Sequence, residues 1–299
     1  MNLTIGWIIA IFSVIGGYVG VSLHGSTEPI SFYAVGNSLF HLWQPFEYLI
    51  IIGASFGAMI ASNKKRVLSK IWLAVRNIFK PNKINKESNV ELLCLMFELT
   101  QKIKRNGLMS LESDIEEPQT SPIFNRYPTV RDDQKMIDFI TDYLRMMLAG
   151  SMDLVQFESL MEQEIDVLHD EASTPAVAVH TMADGLPAFG IVAAIMGVVI
   201  SMQYINDPSV GEKIAAAMVG TFLGVLLSYA IVSPVAKVLE HNAEVEIRPY
   251  SAVKAILLAH LNNFPPSAAV EFGRKVLFSD QRPSFEELEE GTREVVRAK

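Results

Sequence analysis

Where the sequence is most apolar, residues able to do chemistry are few. Four stretches, Leu3–Val21, Pro45–Ser62, Leu186–Ile205 and Ile214–Ala236, contain one charged residue among them, Glu47. On the third stretch Pro187, Ala194 and Ser201 recur every seven residues, and on the fourth Thr221 and Ser228 do, giving each helix a seam of small, weakly polar groups. Hydroxyls can line a wet path or ligate an ion, but they do not titrate near neutral pH. A proton relay at membrane depth needs a carboxylate or a histidine, and the third and fourth stretches hold neither. Either the chain conducts nothing, or a partner inserts the titrating residue against this seam. Glu47 follows Pro45 at the start of its stretch, where it reads as an acid complementing the dipole of a first helical turn. The competing reading gives it a cation-gathering role.

Elsewhere the chain offers no enzyme chemistry: no nucleotide loop, metal-ligand cluster or nucleophile–base pairing stands out. His24 and His41 fall in the loop after the first stretch, and His169, His180, His241 and His260 are scattered. The single cysteine, Cys94, sits in the apolar run Leu92–Met96 and reads as a buried, inert thiol. Gly53-x-x-x-Gly57 and Gly220-x-x-x-Gly224, the latter extended by Ala216 and Ser228, allow close approach of helix backbones.

The elements that must position these residues are membrane helices. The chain is 50% hydrophobic and only 19% charged, with a mean hydropathy of +0.27. A soluble domain carries roughly a quarter charged residues. Each apolar stretch is long enough, at 1.5 Å per residue, to cross a hydrocarbon core of roughly 30 Å, and no strand-like alternation competes with helix. The first stretch has no Lys or Arg before it and no clear cleavage site, so it reads as a retained helix. Fifteen Lys and Arg lie between Asn63 and Ala183 and nine after Ala236, whereas Ser22–Gln44 has none. Basic residues stay cytoplasmic, which puts both termini and the long middle segment on that side. The net charge of −8 then belongs to the cytoplasmic parts and is not a nucleic-acid signal.

The expected fold class is all-α: a polytopic membrane protein with four transmembrane helices and a helical cytoplasmic domain. Residues 1–62 supply helices one and two with a periplasmic loop, 63–184 the cytoplasmic domain, 185–238 helices three and four, and 239–299 a cytoplasmic C-terminal segment. After the second span, Lys64-Lys65-Arg66 leads into an apolar face of Val67/Leu68, Ile71/Trp72, Val75 and Ile78/Phe79. Such a basic amphipathic helix lies on anionic headgroups or packs within the cytoplasmic domain. Pro81–Lys86 breaks the pattern. Ser88-x-x-Glu91 predicts a capping box for a helix ending near Gly107. Helices are predicted over Asp132–Leu148, from Asp153 through Leu168, and over Ser251–Leu261, with Thr120–Val130 a loop. Pro265-Pro266 is a break, and Ser284-x-x-Glu287 caps a short acidic helix.

These residues also carry a resemblance. The run Leu186-Pro-Ala-Phe-Gly-Ile-Val-Ala-Ala-Ile-Met-Gly-Val-Val199 resembles helix three of the flagellar motor stator subunit family MotA, within the MotA/TolQ/ExbB proton-channel superfamily. Ala217–Gly224 with Ser233-Pro234 resembles its helix four. Val270–Lys275, Arg282–Glu290 and Gly107–Glu116 are similar to its C-terminal and rotor-facing stretches. The resemblance implies a cell inner-membrane protein forming a homo-oligomeric ring, pentameric in the family, in contact with membrane lipid. The ring would surround a MotB-like single-span, peptidoglycan-anchored partner that brings the missing aspartate. Ion flow would then drive the rotor switch protein FliG in bacterial flagellum-dependent motility and chemotaxis. No cofactor, metal or nucleic acid is implied.

Carried over by that resemblance, the ion pathway falls on Thr221, Ala194, Pro187, Pro234 and Ser228, and the rotor-interaction charges on Lys104, Arg105 and Glu112. The family's Arg is replaced by Lys at 104. The outer loop is longer than the family pattern. Sodium-driven relatives carry Thr where Ala194 stands, so a proton-driven motor is expected. A TolQ- or ExbB-like energiser of envelope processes is the alternative, although those relatives have three spans. A passive scaffold is the third reading.

Overall fold

The computed structural model describes residues 2–24, 35–36, 39–40, 42–80, 84–150 and 152–297. Most of the outer loop, His41 and Pro81 lie outside the described residues. Those described are helical throughout, without a strand. In chain order the helices are α1 (Asn2–His24), α2 (Pro45–Ser62), α3 (Lys65–Asn77), α4 (Lys86–Asn106), α5 (Glu112–Glu116), α6 (Pro128–Arg131), α7 (Gln134–Ala149), α8 (Leu154–Met202), α9 (Val210–Leu226), α10 (Ser233–Leu261), α11 (Pro266–Val276) and α12 (Phe285–Arg297). Short 3₁₀ turns occupy Leu108–Leu111 and Phe124–Arg126, and a π-helical turn, Leu227–Val232, joins α9 to α10.

Four of these elements are long and apolar enough to cross a membrane: Leu3–Val21, Pro45–Ser62, α8 and the Val210–Leu261 run. The chain divides into two compact units, residues 1–80 with 173–241, and 81–172 with 242–299. The helix expected from Asp153 and the third span are one helix. α8 runs 49 residues without a break and keeps Pro175 and Pro187 in its interior.

The first unit is organised by close backbone contact. On α2 the inward positions recur every fourth residue, Ile51, Ser55 and Met59, as a 3.6-residue repeat requires. Ile51 packs with Leu186, Ala193 and Leu223. Between α8 and α9 the glycines decide the spacing. A Cβ added to Gly224 would meet the Leu186 carbonyl oxygen at 2.6 Å and Gly190 Cα at 3.0 Å. One added to Gly197 would meet Ala217 Cβ at 2.5 Å. The seam on α9 is therefore Ala217–Gly220–Gly224, one position off the Ala216 stripe expected. A straight four-residue ladder drifts against the facing helix, because 3.6 residues make a turn. Gly53-x-x-x-Gly57 makes no close helix–helix contact with the described residues. Both glycines are exposed, and no heavy atom lies within 4 Å of a Cβ built on Gly57.

α3 belongs to this unit, and its apolar residues split into two groups. Ile71, with Val67, Leu68, Ala74 and Ile78, packs on Met59, Val179, Ala236 and Leu239. Trp72, 67% exposed, with Val75 and Phe79 forms a second, outward group, and the Arg76 guanidinium stands 5.3 Å from the Trp72 ring.

The second unit is a conventional helical core. α4 buries Leu92–Leu99 almost completely against α7, α10, α11 and α12 residues such as Tyr143, Val253, Val270 and Leu288. Its N-cap is Asn85 rather than Ser88. The Asn85 side chain accepts from the Ser88 N–H at 2.8 Å while Ser88 Oγ accepts from the Asn85 N–H at 2.9 Å. Glu91, freed from that role, accepts from the Thr129 N–H at 2.9 Å and holds α6. The Ser284–Glu287 box forms as expected. Cys94 is buried, and burial together with Glu294, Glu91 and Glu98 pushes its thiol up to about 11, which makes it inert.

Gly224→Ala should destabilise the detergent-extracted protein by about 1–3 kcal/mol, because the added methyl strikes backbone that cannot yield. Gly57→Ala, in open space, should leave the melting temperature unchanged. Equal melting of the two variants would refute this account of the α8–α9 contact.

Candidate functional site

Proline at 187 removes the N–H that would bond the carbonyl four residues back, Ala183. That carbonyl is not left bare. Ser228 Oγ, at the start of the π-helical turn, donates to Ala183 O at 2.7 Å. The wide turn itself precedes Pro234, whose ring crowds the carbonyl four residues earlier and favours a locally unwound backbone. Pro187 lies inside α8 and is paired, through one hydroxyl, with the neighbouring segment.

Around Gly220, the neighbour of Thr221, the backbone of Ala194 and the side chain of Glu47 approach one another. A Cβ on Gly220 would lie 3.6 Å from Ala194 N, 3.3 Å from Ala193 Cβ and 3.6 Å from Glu47 Cγ. Thr221 follows immediately, and a Cβ on Gly190 would touch its Cα at 3.4 Å. Glu47 is half-buried, and its Oε2 is enclosed without a hydrogen-bond partner. It is in the first turn of α2, as the dipole reading required. Yet its side chain lies over the α8–α9 seam, where an acid of the first turn need not point. Ser201 is spent on its own helix, donating to Gly197 O at 2.7 Å, and Ser228 is spent on Ala183. Thr221 alone among the seam hydroxyls makes no hydrogen bond with the described residues.

The three expected surface charges lie together on the second unit. Lys104 and Arg105 are exposed in the last turn of α4, which ends at Gly107 with φ of 79°, a conformation that favours glycine. Glu112 opens α5 and is also exposed. Lys104 and Arg105 line an open hollow of about 260 Å³ with Phe97, Gln101, Pro266 and Ser267. Burial, then the charge of Lys104, lowers the pKa of nearby His260, so the imidazole is neutral at pH 7.

What holds this corner is a set of buried partners that sequence reading passed over. Asp114, 4% exposed, pairs with Lys102 and accepts from Ser121 Oγ at 2.6 Å. Arg145 donates to the Ile115 carbonyl at 2.9 Å. Glu98, fully buried, pairs with Arg126 at 2.9 Å and accepts from Tyr127 Oη at 3.2 Å. Burial first, and then Glu98, drives the Tyr127 phenol far up. Arg274 binds Glu271 and donates to the Pro283 carbonyl at 2.9 Å, which ties the α12 segment to α11. The one available signal was that Lys102 and Asp114 flank Lys104 and Glu112 by two residues on either side. Gly190 and Gly197, seven apart, carried a similar unread signal on α8.

Removing the Ser228 hydroxyl should cost about 1–3 kcal/mol in Ser228→Ala, the price of an unsatisfied buried carbonyl. In a Pro187→Ala background the same change should cost less, because residue 187 then supplies an N–H for Ala183. A double-mutant cycle on thermal unfolding that shows no coupling would sink this pairing.

Comparison with known proteins places the whole chain. Residues 4–107 match the family described as Motility protein A N-terminal, and residues 132–252 match the MotA/TolQ/ExbB proton channel family. Motility protein A of Salmonella typhimurium is 42% identical over 297 residues, covering 99% of this chain and 96% of that protein. Its Escherichia coli counterpart is 41% identical over the same span, and the chemotaxis protein LafT of Vibrio parahaemolyticus is 36% identical over 256 residues, 85% of this chain and 90% of its own. In fold the chain is similar to a MotAB structure from C. jejuni, with TM-score 0.67 at 18% identity over 95% of this chain and 98% of that one. The flagellar MotAB stator complex of Bacillus subtilis gives 0.60 at 23% identity over 90% and 92%.

Proposed function

The chain belongs to the motility protein A family, and we propose that it is the ion-conducting stator subunit of a flagellar motor. The carrying observation is the seam around Gly220, where Ala194, Thr221 and Glu47 meet within membrane-spanning helices. The apolar stretches Leu186–Ile205 and Ile214–Ala236 supply no carboxylate or histidine of their own. A MotB-like single-span partner, anchored to peptidoglycan, would bring a carboxylate to that seam. Thr221 offers it a hydroxyl that no other described residue engages, and Pro187 lets the adjacent backbone move. Five copies would form a ring around the partner, with both termini cytoplasmic, a side that the distribution of Lys and Arg supports. The chain acts by conduction rather than catalysis.

The ion is a proton in this reading. A dehydrated sodium ion needs several oxygen ligands, whereas a proton needs one titrating carboxylate, and Ala194 supplies no oxygen from its side chain. Torque passes to the rotor protein FliG through Lys104, Arg105 and Glu112. One charge crossing about 100 mV releases about 2.3 kcal/mol. Exposed ion pairs are worth roughly 0.2–1 kcal/mol each, so several can form and break within one step. The Motility protein A N-terminal match over 4–107 supports the motor over a TolQ- or ExbB-like energiser.

The test is motility of a stator-deficient host carrying this chain with its partner. Thr221→Val should insert normally and swim slowly, and Pro187→Ala should lose motility more than abundance. Swimming should be insensitive to external sodium at constant proton-motive force. Single neutralisations of Lys104 or Glu112 should be tolerated, while Lys104→Glu with Glu112→Lys should abolish most swimming. Wild-type swimming by that double variant at normal protein level would place the rotor contact elsewhere.

A further inference from the structure

The outward strip of α3 carries large aromatic side chains that the rest of the described chain does not cover: Trp72 is 67% exposed and Phe79 62%. The residues beneath the helix fix where that strip lies. Inward, α3 packs on Met59 near the end of the second span, on Val179 ahead of the third apolar stretch, and on Ala236 and Leu239 at the close of the fourth. The Phe79 ring meets Trp7, in the second turn of α1, with centroids 6.4 Å apart and planes at 69°. In a chain that crosses a bilayer four times, the start of the first span, the end of the second, the start of the third and the end of the fourth share one side. α3 touches all four. Its 13 residues, about 20 Å of helix, therefore lie along the plane where the spans leave the hydrocarbon, and belong to the first unit rather than the second.

Two strips adjoin on that surface. At about 100° per residue, Trp72, Val75 and, in the turn continuing the helix, Phe79 span about 60°, and Lys65 and Arg76 occupy about the next 40°; all five are exposed. The Arg76 guanidinium rests 5.3 Å from the Trp72 ring, at the seam between the strips. Stacked there, it keeps a planar fork of N–H donors for a phosphate, which it can grip through two oxygens. Lys64-Lys65-Arg66 opens the helix, where cations oppose the helix dipole and so do nothing for the helix itself. No Asp or Glu occurs between Glu47 and Glu87 to offset them. Trp at the water–lipid boundary with Lys and Arg beside it is the composition that an anionic headgroup layer attracts. We propose that α3 is a binding site for anionic phospholipid, with Trp72, Val75 and Phe79 in the acyl boundary and Lys64–Arg66 and Arg76 on headgroup phosphate. A second copy of the chain is the poorer occupant, because its α3 would bring the same cations.

The inference needs the four-span arrangement but not ion conduction, and its readouts are of lipid rather than of swimming. The full chain with its partner would be placed in vesicles of phosphatidylcholine and phosphatidylglycerol in equal amounts, with a photoreactive benzophenone amino acid in place of Trp72. Illumination should join residue 72 to phospholipid, and mass spectrometry of the adducts should show phosphatidylglycerol in excess. Arg76→Gln, an exposed change that should leave the melting temperature in detergent unaltered, should cut that excess about fivefold, the equivalent of about 1 kcal/mol for one cation at a membrane surface. Lys65→Gln with Arg76→Gln should abolish it, and raised salt should weaken it in the parent. Neutralising Lys135 and Lys275 instead, both exposed on the second unit, should keep the preference. Adducts with another protein chain, or none with lipid, would make this face something other than a lipid site and overturn the proposal. Equal labelling of the two lipids by the parent, or an unchanged excess in the Lys65 and Arg76 double variant, would overturn it as well.

Discussion

A proline inside a helix leaves one carbonyl without a donor, and where that carbonyl is buried no water can make good the loss. Pro187 does this to Ala183, which is fully buried, and Ser228 answers it from the adjoining segment at 2.7 Å. An unsatisfied buried carbonyl costs about 1–3 kcal/mol, so this bond ties α8 to the α9–α10 segment. With that register set, Gly190 falls on Gly220 and Gly224, and Gly197 on Ala217. Thr221, Ala194 and the side chain of Glu47 are then brought to one place.

The two units are held by different physics. Between membrane helices there is little hydrophobic gain, because lipid tails are as apolar as leucine. Small residues that let backbones touch and hydrogen bonds that cross helices supply the cohesion instead. The second unit has water outside it and uses a buried apolar core around α4. Inside that core sit ionic partners with neutral tasks of position: Glu98 with Arg126, Asp114 with Lys102, Glu271 with Arg274. Such pairs add little net stability but are costly to break singly. They hold the end of α4 and the start of α5, so that Lys104, Arg105 and Glu112 stand exposed on a rigid corner.

Much of this was legible in the residues. Four apolar stretches of the right length, with Glu47 the one charge among them, read as membrane helices, since a backbone in lipid must be satisfied internally. The absence of any carboxylate or histidine from Leu186–Ile205 and Ile214–Ala236 bears directly on mechanism, and that is a fact of composition. The Ser284–Glu287 capping box, Gly107 as a helix stop, and the burial of Cys94 follow from local chemistry that needs only neighbours in the chain. Lys104, Arg105 and Glu112 were placed at a helix end and the turn beyond it by the same local signals.

The tertiary structure decided whatever depends on which side of a helix meets which other helix. Ala217 rather than Ala216 faces Gly197, and Gly53 and Gly57 face outward, because a four-residue spacing does not say where the partner lies. Asn85 rather than Ser88 caps α4, since two competent caps stood within three residues and Glu91 was needed by Thr129. Ser228 and Ser201 look alike in sequence, yet one bonds across to Ala183 and the other back to Gly197. Glu47 could be placed in a first turn from sequence, but its position over Gly220 could not. Side-chain type sets what a group is able to bond, whereas its partner is set by packing between helices that are separate in the chain.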